Sequence, residues 1–261
     1  MSFLKQKDGT HLFYEVVGKG EPVLFLNGYL SSTYLWKKCI PDDFKERFKC
    51  IFFSYRGQEY TRFENEIDFD HLIEDAKKLV NHLDYKKVNL VGYGLGGRVA
   101  LGFMKKYGKK VNKAVLSATT LDFDTALKMK ISSWKKVLEK NDLDLLLSVV
   151  LPDAVSHNYL NNHQEKVDEL KEILVKSKDR ENLYSLFKGV SDQTMLADFS
   201  DLKSPILILQ GMNDSIVPYR HGRSLHEKIP HSIYHEIDTG HILFQERPEK
   251  FFEKIADFLN N

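Results

Sequence analysis

Six short apolar runs recur along the chain, and segments with the periodicity of helices separate most of them. The runs cover residues 22–26, 49–54, 88–91, 111–117, 205–210 and 232–237. A strand that is buried on both faces has a nearly continuous apolar sequence, whereas a half-exposed strand alternates apolar and polar residues. Buried strands that alternate with helices predict an α/β fold with a mostly parallel, doubly wound sheet.

The helices between these runs are expected over residues 36–45, 68–83, 96–107 and 219–228, with a last helix over residues 248–259. Before the first run, the turn signals Lys7-Asp8-Gly9 and Gly18-Lys19-Gly20 enclose residues 11–17. This enclosed segment mixes aromatic and β-branched residues, so we expect it to form an antiparallel hairpin with residues 1–5.

The alternation of strands and helices stops between residues 121 and 199, where the sequence predicts helices alone. These helices are expected over residues 125–140, 143–150, 154–161, 164–177 and 181–188. An insertion between two core strands lies over the carboxyl edge of the sheet, where open α/β sheets bind their ligands. We therefore expect a core made of residues 1–120 and 200–261, covered by a helical lid made of residues 121–199.

A glycine-rich turn joins the third apolar run to the helix that follows it. The turn, Gly92-Tyr93-Gly94-Leu95-Gly96, lies in the strand-to-helix context of the nucleophile elbow G-x-S-x-G. This segment resembles the elbow of the α/β-hydrolase superfamily, with Gly94 in the position of the nucleophilic serine. Gly92, Gly94 and Gly97 fit the dinucleotide-binding pattern G-x-G-x-x-G loosely. That pattern belongs on the first strand of its domain, and here two core strands precede it.

Two later segments strengthen the resemblance to the α/β hydrolases. The segment from Gly211 to Pro218 is similar to the family pattern G-x-x-D-x-x-V-P, whose aspartate is Asp214 here. The segment from Gly240 to Glu249 is similar to G-H-x-x-x-x-E-x-P-E, whose histidine is His241. The resemblance implies that Asp214 orients His241 and that His241 is the general base. Nucleophile position, acid and base occur in the order typical of these hydrolases.

The resemblance also assigns the groups that would contact a substrate. It implies an oxyanion hole formed by the backbone N–H groups of Tyr29 and Leu95. It places Asn27, Gly28 and Tyr93 at the substrate. The family usually carries His-Gly where this chain has Asn27-Gly28.

The remainder of the pocket is less clearly marked in the sequence. Many relatives carry D-x-R-G-x-G after the second core strand, whereas residues 54–59 of this chain match that pattern only in part. The predicted lid supplies apolar side chains that include Trp134, Leu146, Tyr159 and Phe187. They suggest a small acyl or aromatic ligand, although lid helices also need apolar faces in order to dock.

Glycine at the elbow leaves three hypotheses for the function. Covalent acyl transfer needs an oxygen or a sulfur on that residue. The first hypothesis is therefore a carboxylic-ester or thioester hydrolase that is inactive because Gly94 replaces its serine, either naturally or by engineering. The second is catalysis without a nucleophile, with His241 as general base, in a lyase of the menaquinone-pathway synthase type or in a slow hydrolase. The third is a binding or sensor protein for a small ligand.

The overall charge argues against several classes of partner. The net charge of +1 gives no field that would recruit nucleic acid or an anionic membrane surface, and no apolar stretch is long enough to span a membrane. Two cysteines without metal spacing, and an N-terminus without a signal-peptide core, favour a cytoplasmic location. No metal or other cofactor is expected, and the sequence leaves the oligomeric state open.

Overall fold

The structure is a computed structural model that describes residues 2–177, 180–190, 195 and 198–261. Within these residues, eight strands form one sheet: β1 (Ser2–Lys5), β2 (His11–Val17), β3 (Glu21–Leu26), β4 (Phe48–Phe53), β5 (Val88–Tyr93), β6 (Val111–Ser117), β7 (Ile206–Gly211) and β8 (Ile233–Ile237). Their order is β1-β2-β4-β3-β5-β6-β7-β8. The β1–β2 and β2–β4 pairs are antiparallel and the other pairs are parallel. The prediction of a mostly parallel, doubly wound sheet is confirmed.

Among the described residues, six helices of 6 to 14 residues flank this sheet: α1 (Thr33–Cys39), α2 (Asp42–Arg47), α3 (Phe69–His82), α4 (Leu95–Tyr107), α10 (Tyr219–Lys228) and α12 (Pro248–Asn260). The single helix predicted over residues 36–45 is wrong. Pro41 separates α1 from α2, and Ile40 before it is extended, with φ −71° and ψ 123°, as a residue before proline prefers. A short helix that was not predicted, α11 (Leu243–Glu246), precedes α12.

Each face of the sheet carries its own apolar layer. Val23 and Phe25 of β3 face the layer that also contains Trp36 of α1, whereas Leu24 and Leu26 face the layer packed by α3 and α4. All of these side chains are fully buried. Burial on both faces explains the continuous apolar sequence of β3.

Among the residues described between β6 and β7 there are five helices: α5 (Thr125–Glu139), α6 (Leu143–Ala154), α7 (His157–Asn162), α8 (Gln164–Ser177) and α9 (Arg180–Val190). We call them the helical insert. Their apolar faces join the layer that contains Val23 and Phe25. Residues 178–179, 191–194 and 196–197 of the predicted lid lie outside the described residues. No helix of the described chain has both the length and the apolar sequence that crossing a membrane requires.

Candidate active site

Gly94 is the single residue between the end of β5 and the start of α4, and its backbone is unusual. It has φ 55° and ψ −114°, a conformation that residues with a side chain rarely adopt. Three hydrogen bonds hold it there: Gly94 N–H donates to the Ser117 carbonyl at 2.9 Å, and the Gly94 carbonyl accepts from the Thr119 hydroxyl at 2.7 Å and from the Gly97 N–H at 3.1 Å. The backbone therefore has the strained turn that an elbow requires, whichever residue occupies it.

The turn packs so closely on the neighbouring strand that some of its positions exclude a side chain. A Cβ atom on Gly96 would lie 1.9 Å from the Leu26 carbonyl oxygen, which is a severe clash. Gly94 differs, because a Cβ there would lie 3.6 Å from His241 Nε2 and 3.8 Å from Gly28 Cα. Both are ordinary van der Waals distances. A hydroxyl on that Cβ would come within hydrogen-bonding reach of His241 Nε2.

His241 and Asp214 form a hydrogen-bonded pair. His241 Nδ1 and Asp214 Oδ2 are 2.8 Å apart, and both residues are buried. A carboxylate only accepts, so this contact assigns the imidazole proton to Nδ1 and leaves the Nε2 lone pair directed toward Gly94. Asp214 is itself fixed, because its Oδ1 accepts from the backbone N–H groups of Ile216 at 2.9 Å and Val217 at 2.8 Å. The pair has the geometry of a general base and the residue that orients it.

The loop that carries His241 is fastened to the helical insert. Glu246 Oε1 accepts from the backbone N–H groups of Gly240 and Ser156, each at 2.8 Å, and Oε2 accepts from the Ser156 hydroxyl at 2.6 Å. His241 N–H also donates to the Ala154 carbonyl at 2.9 Å. Burial raises the pKa of the Glu246 carboxyl, although these donors act in the opposite direction. The sequence pattern contained Glu246 but did not indicate this contact.

A pocket opens at the elbow. Its cavity has a volume of about 90 Å³. Gly28, Tyr29, Tyr93, Leu95 and His241 line it together with Gly94. The helical insert contributes apolar residues from three helices: Leu127, Ile131, Trp134, Leu147, Val150, Leu151, Ala154 and Leu174. The pocket is therefore apolar except near the elbow and the histidine.

Several predicted contacts with the pocket are not found. Of the four apolar insert residues singled out from the sequence, Trp134 lines the pocket, whereas Leu146, Tyr159 and Phe187 are buried elsewhere. Sequence reasoning in turn missed Arg98 of α4. Arg98 lines the pocket, is 2% exposed, and has its guanidinium carbon 4.3 Å from the ring centroid of Phe123.

The Asn27 side chain, which was expected at the substrate, lies beneath the residues that line the pocket. Asn27 Nδ2 donates to the Phe53 carbonyl at 3.0 Å, and its Oδ1 accepts from Trp36 Nε1 at 3.0 Å. The neighbouring Gln58 was not identified from the sequence. Gln58 Nε2 donates to the carbonyls of Gly28 at 2.8 Å and Tyr29 at 3.0 Å. Its one signal was its position in the partial match over residues 54–59.

Neither of two nearby hydroxyl groups takes the place of a serine at the elbow. Burial raises the pKa of the Tyr93 phenol well above its ordinary value, so its phenolate form is strongly disfavoured at neutral pH. Ser117 is fully buried and does not line the pocket. Across the described residues, no three His, Cys, Asp or Glu side chains gather as a set of metal ligands.

Comparisons with known proteins agree with this fold. The family model of the alpha/beta hydrolase fold matches residues 21–160. The AB hydrolase superfamily protein YisY of Bacillus subtilis is 24% identical over 269 aligned positions, which cover 99% of this chain and 99% of YisY. Serine hydrolase BPHL of Mus musculus is 27% identical over 265 positions, which cover 97% of this chain and 84% of BPHL.

A solved structure has the same architecture over the whole chain. It is MGS-M2, an alpha/beta hydrolase enzyme from a Medee basin deep-sea metagenome library. The TM-score is 0.92 at 21% sequence identity, and the match covers 100% of this chain and 98% of MGS-M2. The fold class predicted from the sequence is thereby confirmed.

Proposed function

This chain belongs to the alpha/beta hydrolase family, and we propose that its pocket is the active site of a carboxylic-ester or thioester hydrolase that lacks only its nucleophile. One observation carries the proposal. Gly94 has the backbone conformation of an elbow, and its missing Cβ would lie 3.6 Å from the Nε2 atom of a His–Asp pair. As the sequence stands, covalent acyl transfer is unavailable, because Gly94 carries neither oxygen nor sulfur.

The remaining groups suit an acyl compound. The backbone N–H groups of Tyr29 and Leu95 serve as donors to the carbonyl oxygen of the bound compound, beside Nε2 of His241. The apolar side chains of the helical insert, among them Trp134 and Leu151, contact its acyl or aromatic portion and cover it as a lid. The similarity to BPHL, a serine hydrolase, supports a hydrolytic ancestry.

Gly94→Ser tests the proposal by restoring one hydroxyl. We expect the unchanged chain and Gly94→Ala to hydrolyse p-nitrophenyl acetate and butyrate at background rates. We expect Gly94→Ser to gain at least about 10³-fold, because removing the nucleophile of an assembled triad in a serine protease lowers kcat by about 10⁶-fold. The double variant Gly94→Ser/His241→Ala should return to background. A folded Gly94→Ser variant without activity would contradict the proposal.

The space beside His241 supports a second candidate function. Apart from the chain neighbours of Gly94, a Cβ there would have, among the described residues, only His241 Nε2 and Gly28 Cα within 4 Å. This leaves room for a water molecule that His241 could deprotonate for attack on a bound ester. Slow turnover by the unchanged chain, lost in His241→Ala, would favour this function over a site that only binds its ligand.

A further inference from the structure

We infer that Gln58 and Thr119 are positioning residues that turn the N–H groups of Tyr29 and Leu95 toward a carbonyl oxygen in the pocket. The inference rests on the proposed function, which assigns the two N–H groups to that oxygen. It adds the side chains that orient them. Neither side chain belongs to the His–Asp pair, and neither was identified from the sequence.

Gln58 holds the peptide unit that contains the Tyr29 N–H. Its Nε2 donates to the Gly28 carbonyl at 2.8 Å, and the backbone N–H of Ser31 donates to the same oxygen at 3.3 Å. In a trans peptide unit the C=O and the N–H point in opposite directions. The Tyr29 N–H is therefore directed away from Gln58. Gln58 itself is 1% exposed and accepts from Asn27 Nδ2 at 3.3 Å, which limits its rotation.

Thr119 holds the peptide unit that contains the Leu95 N–H. Its hydroxyl donates to the Gly94 carbonyl at 2.7 Å, and the backbone N–H of Gly97 donates to the same oxygen at 3.1 Å. Leu95 is the first residue of α4, so its N–H has no acceptor within the helix. Thr119 fits tightly against this turn, because a Cβ on Gly97 would lie 2.6 Å from the Thr119 Cβ.

The two contacts have equivalent positions relative to the strands of the sheet. The four strands lie side by side as β4-β3-β5-β6. Gly28 and Gly94 follow the inner strands β3 and β5, whereas Gln58 and Thr119 follow the outer strands β4 and β6. Each outer strand thus supplies a donor to the peptide unit at the end of its inner neighbour. A hydrogen bond at the carbonyl also polarises the unit, which makes its N–H a stronger donor.

Kinetics of variants in the Gly94→Ser background test the inference. Oxyanion-hole donors act mainly on the transition state, so misdirecting one lowers kcat more than it changes KM. We expect Thr119→Val and Gln58→Leu each to lower kcat by about tenfold with little change in KM. This is less than the 10²- to 10³-fold effect of deleting a donor, because a backbone N–H still holds each carbonyl. Thr119→Ser keeps the hydroxyl and should retain kcat.

A second measurement uses the chain with Gly94 in place, so it does not depend on restored activity. We expect Thr119→Val to shift the amide proton resonance of Leu95, and Thr119→Ser to leave it in place. Thr120→Val is the matched control, because the Thr120 hydroxyl donates to the Asp122 carbonyl at 2.7 Å and not to the elbow. An inert Gly94→Ser variant with the expected amide shifts would contradict the proposed function alone.

Three results would overturn the inference about positioning. One is an unchanged Leu95 amide in Thr119→Val. Another is an active Gly94→Ser background in which Thr119→Val alters KM or thermal stability while kcat stays the same. The third is a loss of kcat in Thr119→Ser equal to that in Thr119→Val, since the hydroxyl is then not the group that matters.

Discussion

The two halves of the candidate site are built from different parts of the chain. The histidine half consists of buried side chains that hold one another: His241 contacts Asp214, and Glu246 fastens the histidine loop to Ser156. The elbow half consists of backbone. Gly94 contributes a strained turn, two hydrogen-bonding peptide groups and no side-chain atom.

This difference decides what each half can lose. Removing a side chain from the histidine half leaves buried donors or acceptors without partners, which is destabilising. Removing the side chain at the elbow relieves backbone strain, because glycine adopts a positive φ without steric penalty. A hydrolase of this fold can therefore lose its nucleophile while the fold and the His–Asp pair persist. Substitutions in the histidine half should therefore cost more than substitutions at the elbow.

The largest expected effect concerns Asp214. In the Gly94→Ser background, we expect Asp214→Asn to lower kcat for p-nitrophenyl butyrate by about 10⁴-fold, as the equivalent change does in a serine protease. An amide cannot hold the Nδ1 proton of His241 as a carboxylate does. The matched control is Asp238→Asn, because Asp238 is exposed and accepts from Asn213. Equal activity in both variants would show that the His241–Asp214 pair does not contribute to catalysis.

Glu246 gives the next largest effect. We expect Glu246→Ala to lower the free energy of unfolding by about 3 kcal/mol, since the N–H groups of Gly240 and Ser156 would be left buried without an acceptor. Urea denaturation measures this loss. Glu253→Ala, at an exposed position of α12, should stay within about 0.5 kcal/mol of the unchanged chain. Similar free energies of unfolding for both variants would show that the side-chain contacts of the histidine half do not stabilise the protein.

The elbow itself should respond only through its backbone. Gly94→Ala is expected to lower the free energy of unfolding by about 1–2 kcal/mol, because the added Cβ finds ordinary contacts but the φ of 55° disfavours a side chain. Gly108→Ala is the control. Gly108 has a helical φ of −54°, and beyond its chain neighbours no atom of the described residues lies within 4 Å of an added Cβ, so we expect a gain of about 0.5 kcal/mol. A neutral Gly94→Ala would mean that the elbow is not strained.

The smallest effect is a pH dependence. Burial raises the pKa of Glu246 above its ordinary value of 4.5. A carboxyl with a raised folded-state pKa contributes stability that is fully present below its unfolded pKa and is lost as the pH rises through the folded one. Glu246→Gln does not titrate, so the unchanged chain should lose stability relative to this variant as the pH rises from 4 to 7. If the difference in stability between the two proteins stays constant with pH, the raised pKa of Glu246 is contradicted.

Much of this architecture could be predicted from local sequence. β6 and α10 occur where they were expected, because the apolar run Ala114-Val115-Leu116 marks the buried part of a strand and Pro218 marks a helix start. Two other prolines led to errors in the predicted helix bounds. Pro41 divides a predicted helix, whereas α6 continues through Pro152 to Ala154, four residues beyond its predicted end.

The site divides in the same way. Gly94, Asp214 and His241 were expected together because each follows a strand of the parallel sheet, and parallel strands present their carboxyl ends at one edge. Gln58 and Thr119 were missed because their contacts join residues 30 and 25 positions apart through side-chain directions that no local pattern encodes. Asn27 was placed at the substrate from its position alone, whereas its amide is directed into the layer below.

Labelling with a fluorophosphonate, read as intact mass, tests the central claim most directly, because the reagent reports an activated nucleophile without requiring the correct substrate. The account predicts that Gly94→Ser gains one label, mapped to position 94, and that the unchanged chain and Gly94→Ala gain none. A label on the unchanged chain would reveal another nucleophile. A folded Gly94→Ser variant that stays unlabelled would show that more than one hydroxyl is missing from the site, and either result would contradict the account.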